Sequence, residues 1–542
     1  MAVLFHYFSR FFFIFFENYP EIFYLFTNFN SLNRILKSPF NVIILLLLII
    51  GTFQHFAPFL NYQRLVYSIS EDGYYMLTMA RNIAAGHGMS IADGTIITNG
   101  TQPLMTLILA GVFLLTGGDK IFSIQLIILL QWLIAVAASY MIWKLGSKLL
   151  KNHHEGIKIS VLAAALWYAS PVMIRHTMNG LETGLYAFAV LYVLTFIIFN
   201  DNPFNFHNSI VTGFLLGIVF LIRNDAVFLI GGVCLVFLIP GFYSKEIKYS
   251  KRLVSVIVVG IISLLTAGPW LLYNQMVFGW IVPISGQAEM FGERVGGNFI
   301  NLPRILSEYF TGFIPLSYGA QKYLPVLLSW IIFILAIAVL IVIMYKKFNI
   351  YQKRLVFISG IFLILLSGFY STAFDHYYFL PRYLFPATPI IILGWAAAVF
   401  YGFDKFKVKF TKIREVSTIV FVISIIIFSY VRFNDANKHM HFQVVDWVKN
   451  NVSDDIWISA FQSGAVGYFH DKTINLDGKV NPYALRSKKL NKIPQYMVKI
   501  KAVYMADWYD RKWWMNDSTI SNNFEMVVSD SLKNITVLKK KQ

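Results

Sequence analysis

Apolar runs of about 20 residues recur between residues 41 and 431, and they decide what this chain can fold into. The first is "NVIILLLLIIGTFQHFAPFL" (41–60). At 1.5 Å per residue, a helix of about 20 residues crosses a hydrocarbon core of about 30 Å. Charged residues make up 14% of the chain, against roughly 25% in soluble domains. The composition therefore points to a polytopic membrane protein. The one cysteine, Cys234, lies in an apolar run, which rules out a disulfide framework and a cysteine metal site. The net charge of +18 sits mostly in short connections between apolar runs. That pattern sets membrane orientation and argues against nucleic acid as a partner.

Four connections are clearly basic: Lys144/Lys148/Lys151, Lys245/Lys248/Lys251/Arg252, Lys346/Lys347/Lys353/Arg354, and Lys405/Lys407/Lys409/Lys412/Arg414. The positive-inside rule places all four in the cytoplasm, together with Arg34 and Lys37. "PLMTLILAGVFLLTGG" (103–118) is apolar, but it reaches only roughly 20 Å and is too short to span. Pro103 suits a helix start and Gly117-Gly118 a stop, so this segment reads as a helix lying at the interface. About eleven crossings then alternate without conflict, at about 41–60, 121–143, 157–173, 183–199, 209–222, 226–240, 253–273, 325–345, 355–372, 383–401 and 415–431.

This topology divides the chain into three parts. Residues 1–40 form a cytoplasmic or interfacial segment, and 41–432 form a transmembrane domain with outer loops at 61–120 and 275–323. Residues 433–542 form an extracytoplasmic region. In that last part "DDIWISAF", "KTINLDG", "IKAVYMAD" and "FEMVVS" read as strands and "FQVVDWVKNN" as a helix, the alternation of a small α/β domain.

The candidate functional residues fall at span ends on the outer side. In "SISEDGYYMLTMARNIAAGHG" (68–88), Asp72 precedes a helix that Gly86 stops. It reads as a helix N-cap, a general base, or both, since capping uses one carboxylate oxygen. Glu71 is its neighbour. Glu182 in "IRHTMNGLETG" stands where an acid favours a helix start, with Arg175 and His176 nearby. "LIRNDAVFL" puts Arg223 and Asp225 in a tight turn between apolar runs, where ionisable groups are paired or functional. "DHYYFLPRYLFP" adds Asp375, His376 and Arg382, and an arginine fork suits a phosphate. Outer acids with outer arginines point to an anionic, lipid-linked substrate. There is no Walker A loop, HExxH or GxSxG elbow.

These motifs together resemble the GT-C glycosyltransferases, integral-membrane enzymes that use polyprenyl-phosphate sugars. Protein O-mannosyltransferases, the lipid A aminoarabinose transferase and an arabinofuranosyltransferase-like bacterial branch belong to that class. The resemblance is carried in order by "EDGYYMLTMARNIAAGHGMSIADGTIITNGTQPLMTLILA", "NGLETGLYAF", "LIRNDAVFL", "NQMVFGWIVPIS", "PRYLFPATPI" and "DWVKNNVSDDIWISAFQSGAVGYF". It spans roughly residues 40 to 480. The chain departs from it at Asn224, where the family often has proline, and at Met105, where it often has an aromatic residue.

The resemblance implies an inverting transfer of a sugar from a polyprenyl-phosphate donor to a glycan, lipid or protein acceptor. The expected setting is a bacterial plasma membrane, with the site outside and membrane lipids around it. Asp72 would be the base. Arg382, then Arg223, would steady the departing phosphate. Glu71, Glu182, Asp225, His176 and His376 would complete the substrate site. No cofactor and no metal site are expected, and the loop with Gln287, Glu289 and Arg294 is expected to cover the site. The rival reading is a transporter or flippase of a lipid-linked glycan. Such proteins tend to show internal repeats, and none is visible in this sequence.

Overall fold

The structure is a computed structural model that describes residues 39–541 apart from 244–245, 291–295, 311–324, 374–379, 406–410 and 436–438. A helix occupies each of the eleven expected apolar runs, among them Pro39–Phe56, Lys120–Leu149, Tyr249–Phe278 and Ile350–Ala373. Among the described residues, six helices are long and apolar enough to cross a membrane. A seventh arises if Gly156–Ala169 and Pro171–Thr177, bent by 62° at Ser170, count as one span. By length and composition alone, six or seven of the described helices qualify as spans, and the remaining expected runs hold shorter apolar helices. Thr183–Phe199 and Phe206–Ile222 have 17 residues each and Val227–Leu238 has 12. The polar residues Glu182, Arg223 and Asp225 cut these apolar runs short. The long helices keep apolar side chains on their outer faces: Leu265, Leu327 and Ile364 are 66–74% exposed. That surface suits lipid and would be a liability in water.

The first loop is a packed structure. Ser70, not Asp72, caps the helix Glu71–Ala84: its Oγ accepts from Gly73 N at 3.1 Å and donates to Asn179 O at 3.0 Å. Asp72 therefore lies inside the first turn, which leaves its carboxylate free to face elsewhere. Ala85 closes the helix, and Gly86 follows with φ of 84°. A short hairpin, β1 (Ser90–Ile91) and β2 (Ile96–Ile97), leads to the helix Pro103–Leu115, which begins at its proline and buries Met105, Leu109 and Phe113. Asn99 is fully buried. Its amide donates to Asn274 Oδ1 at 3.0 Å, and its own oxygen accepts from Ile284 N at 3.1 Å. The first loop is so tied to the start of the second.

Residues 442–540 contain a five-stranded sheet: β3 (Ile458–Ala460), β4 (Thr473–Asn475), β5 (Tyr504–Asp507), β6 (Phe524–Asp530) and β7 (Ile535–Lys540), in the order β4-β3-β5-β7-β6. Strand β3 runs parallel to its neighbours β4 and β5, and β7 pairs antiparallel with β5 and β6. Strand β7 is the one that sequence patterning does not reveal. Its apolar start is followed by the lysine-rich run "KKKQ", which reads as a polar tail.

This sheet domain and the first loop share one apolar core. Tyr74 and Leu77 pack with Phe442, Val445 and Tyr468. Polar groups rim the seam: Asp471 accepts from Arg81 and, at 3.0 Å, from Lys120 Nζ. Glu71 accepts from the backbone N–H groups of Gly464 and Ala465, at the start of the helix Gly464–Phe469. That is the favoured place for a carboxylate. The close approach requires glycine, because a Cβ on residue 464 would lie 2.1 Å from Glu71 O. Gly464→Ala is expected to cost about 1–3 kcal/mol or more by overpacking this seam, read as a lower melting temperature of the detergent-solubilised protein. Gly467→Ala, whose new Cβ would meet atoms no closer than 3.7 Å, is expected to leave the melting temperature unchanged.

Candidate active site

A cavity of about 360 Å³ opens where the first-loop helix, the ends of several membrane helices and the sheet domain converge. Asp72, Glu182, Arg223, Asp225 and Arg382 all line it. They come from four separate stretches of chain. One wall is apolar, with Phe220, Val227, Phe228, Leu271, Ile281 and Phe369. The polar wall holds four carboxylates, the fourth being Glu289, and three cations, the third being Lys479.

Arg223 is the most heavily engaged of these groups. Its Nη1 donates to Glu182 Oε1 at 2.6 Å, and its Nη2 and Nε donate to Asp225 Oδ2 at 2.7 and 3.1 Å. Tyr370 OH donates to the same Asp225 oxygen at 2.7 Å. Glu182 stands at the N-cap position of Thr183–Phe199 but makes no capping bond, so its carboxylate serves Arg223 instead. The arrangement has a physical cause. Arg223, Glu182 and Asp225 are all buried, and a buried charge persists only with a partner. Arg223 is thereby committed to protein carboxylates, which weakens its case as the second phosphate ligand.

Asp72 is the more open centre. One oxygen accepts from Arg382 Nη1 at 2.7 Å, and the other lies 3.8 Å from Lys479 Nζ. Lys479 Nζ also meets Glu289 Oε1 at 2.7 Å. Burial pushes the Asp72 carboxyl up, but Lys479 and Arg382 outweigh it and hold the group down at about 2. Burial pulls the Lys479 ammonium down, yet Asp72, Glu289 and Asp477 more than compensate and keep it charged. The ring of Tyr383 lies between the two arginines, its centroid 5.2 Å from Arg382 Cζ and 5.1 Å from Arg223 Cζ, and it stacks on Tyr370 at 4.1 Å. This aromatic wall holds both guanidinium groups in place.

The remaining expected residues lie elsewhere. Glu71 lies outside the cavity lining and accepts from the sheet domain's Gly464 and Ala465 N–H groups. Burial pushes its carboxyl up to about 7 despite the two backbone donors. His441 Nδ1 stands 3.7 Å from it, and burial holds that imidazole down at about 4. His176 is buried with its ring 5.3 Å from that of Phe385, outside the cavity lining. His376 and Arg294 lie outside the described residues. Among the described residues no group of three or more His, Cys, Asp or Glu is placed to hold a metal ion. Lys479 is the charged cavity residue that sequence reasoning missed, and Glu289 was expected only as part of the covering loop. The signal for Lys479 was weak: "NLDGKVNPY" reads only as a strand followed by a turn.

Comparison with known proteins places this geometry in a recognised fold. The crystal structure of ArnT from Cupriavidus metallidurans bound to undecaprenyl phosphate matches with a TM-score of 0.57 at 11% identity, over 91% of this chain and 97% of that one. ArnT from the same organism in the apo state matches with a TM-score of 0.52 at 12% identity, over 88% and 95%. An archaeal oligosaccharyltransferase, AglB from Archaeoglobus fulgidus in complex with an inhibitory peptide and a dolichol-phosphate, gives 0.49 at 11% identity, over 87% and 70%. A domain of unknown function (DUF8728) matches residues 429–536. No curated protein sequence matches the chain significantly. The chain thus has the GT-C fold, at an identity where the likeness is one of architecture.

Two outcomes follow from the charges. Arg223→Met strands two buried carboxylates and is expected to cost about 3–5 kcal/mol. Arg382→Met, at a partly exposed pair, is expected to cost clearly less, and thermal unfolding in detergent compares the two. Asp72 is held below its ordinary 3.8, so its pairing contributes stability above that pH and loses it as pH falls toward about 2. Melting temperature is therefore expected to drop on acidification through this window, and to drop less in Asp72→Asn.

Proposed function

We propose that this integral-membrane protein is an inverting glycosyltransferase that moves a sugar from a polyprenyl-phosphate donor to a hydroxyl of a glycan, lipid or protein acceptor. The observation that carries the reading is the pairing of Asp72 with Arg382 and Lys479 in one cavity with an apolar wall. That cavity lies within a fold shared with a protein crystallised with undecaprenyl phosphate. The loop charges support placing the site and the sheet domain on the extracytoplasmic side, after about eleven crossings. ATP is not available there, and the donor's own sugar–phosphate bond supplies the driving force.

In this reading the acceptor hydroxyl attacks the anomeric carbon of the donor. Its proton passes to Asp72 as the new C–O bond forms. The bond between the anomeric carbon and the phosphate oxygen breaks on the opposite face, and its electron pair leaves with the lipid phosphate. One displacement inverts the configuration. The step needs a carboxylate within about 3 Å of the nucleophile and a cation beside the departing oxygen. Asp72 supplies the first and Arg382 the second. The apolar wall suits the lipid end of such a donor. Glu289 and the chain at 281–290 line the cavity from the second loop, in keeping with a covering role.

Asp72→Asn is expected to insert and fold normally while transfer falls by about 10²- to 10⁴-fold, the range for loss of a general base. Purified protein incubated with a panel of polyprenyl-phosphate sugars reports this as free polyprenyl phosphate. Wild-type rates in the variant would remove Asp72 from the mechanism. Passage of the lipid-linked sugar across vesicles, with none of it consumed, would favour a flippase.

A further inference from the structure

The sheet domain reaches the cavity with one charged side chain, Lys479, and its placement is tightly built. Strand β4 ends at Asn475, and the turn that follows is fixed by hydrogen bonds. Asn475 Oδ1 accepts from Gly478 N at 3.0 Å and Asp477 Oδ1 from Lys479 N at 2.8 Å. From the other side the first loop presses on the lysine's backbone: a Cβ on Gly100 would lie 2.3 Å from Lys479 O. The backbone is thus clamped between two elements while the four-carbon stem extends to the cavity wall. Its Nζ sits between Glu289, at 2.7 Å, and Asp72, at 3.8 Å.

These contacts are unequal, and the difference matters chemically. Arg223 spends its donors on Glu182 and Asp225. Arg382 gives one donor to Asp72 at hydrogen-bond distance. The Lys479–Asp72 contact is longer than a hydrogen bond, so it is a charge contact that a closer anion can replace. The cavity presents four carboxylates and three cations. Among the described residues carboxylates outnumber cations, so an entering phosphate gains counter-charge most where a cation can turn from a carboxylate. An ammonium on a flexible stem, with three rotatable donors, is the group best able to turn.

We propose that Lys479 is a ligand of the donor phosphate, so that the sheet domain completes the transfer site. The inference rests on the glycosyl-transfer reading and deepens it. As the bond to the anomeric carbon breaks, its electron pair adds charge to the leaving phosphate, and Lys479 meets that charge together with Arg382. The turn of Lys479 toward phosphate also removes from Asp72 one of the two cations that hold it as a weak base. Asp72 then becomes a better proton acceptor when donor is bound than when the cavity is empty. The donor in this way switches on the base that its own transfer requires.

The test uses the full chain in lipid nanodiscs, titrated with undecaprenyl phosphate and followed by intrinsic tryptophan fluorescence. Lys479→Met is expected to weaken binding about ten- to a hundredfold, the size of a lost charge-assisted hydrogen bond. Lys479→Arg is expected to stay within about threefold of wild type, since the charge remains. Glu289→Gln releases Lys479 from its nearest carboxylate and is expected to tighten binding several-fold; this arm decides the matter even where Lys479→Met does not fold. Wild-type affinity in Lys479→Met, or unchanged or weaker binding in Glu289→Gln, overturns the role of Lys479 while leaving the transfer reading intact. Absence of binding by the wild-type protein overturns the transfer reading itself.

Discussion

Asp72 keeps its charge in a largely enclosed cavity because Arg382 and Lys479 stand beside it. A carboxylate removed from water reverts to its neutral form unless opposite charge is supplied locally. Here the supply comes from two distant stretches of chain, one at a membrane-helix end and one in the sheet domain. Much of the architecture serves that meeting. Ser70 caps the first-loop helix so that Asp72 falls within its first turn. Tyr383 lies between the two arginines. Glu71, one residue before Asp72, anchors the same helix to the helix Gly464–Phe469. Adjacent acids thus hold opposite assignments: one faces the cavity, the other the sheet domain.

The sheet domain behaves as part of the site. In open sheets with parallel strands, ligands gather outside the carboxyl ends of the strands, where connections from a central strand diverge. Among the three parallel strands β3 is the middle one, with β4 on one side and β5 on the other. The first-loop helix docks at this edge. Tyr75 OH accepts from Ser463 N and Asn475 Nδ2, both at 3.2 Å, just beyond β3 and at the end of β4. Lys479 follows from the same edge. The sheet's habitual binding edge is filled by the protein's own first loop, and the cavity forms beside it.

Sequence alone carried the membrane class, the positions of the helices, and five of the residues that line the cavity. These features have strong local signals: long apolar runs, and ionisable residues at the ends of them. What a count of apolar runs does not register is that Glu182, Arg223 and Asp225 bound helices of only 12 to 17 residues. The cap at Ser70 was missed because Asp72 is an equally good capping residue by type, and only the contact with Asn179 separates them. Glu71 could not be told from Asp72 by pattern, since the faces of one helical turn are assigned by what packs on them. Lys479 leaves almost no trace, and Glu289 is legible only as part of a loop expected to cover the site. A lysine after a strand is ordinary, and its meaning comes from a partner hundreds of residues away. Strand β7 was hidden by its own charge.

The seam between first loop and sheet domain imposes an order in time. A membrane chain is inserted as it is made, N-terminal helices first. Asp72 and the helix that bears it leave the ribosome roughly 400 residues ahead of Lys479. Through that interval Tyr74 and Leu77 lack Phe442, Val445 and Tyr468 as packing partners. The nascent protein therefore carries a carboxylate without its second counter-ion and an uncovered apolar surface until its last fifth is complete. The cavity therefore gains Lys479, and the first-loop helix its apolar cover, only after the membrane helices have been made.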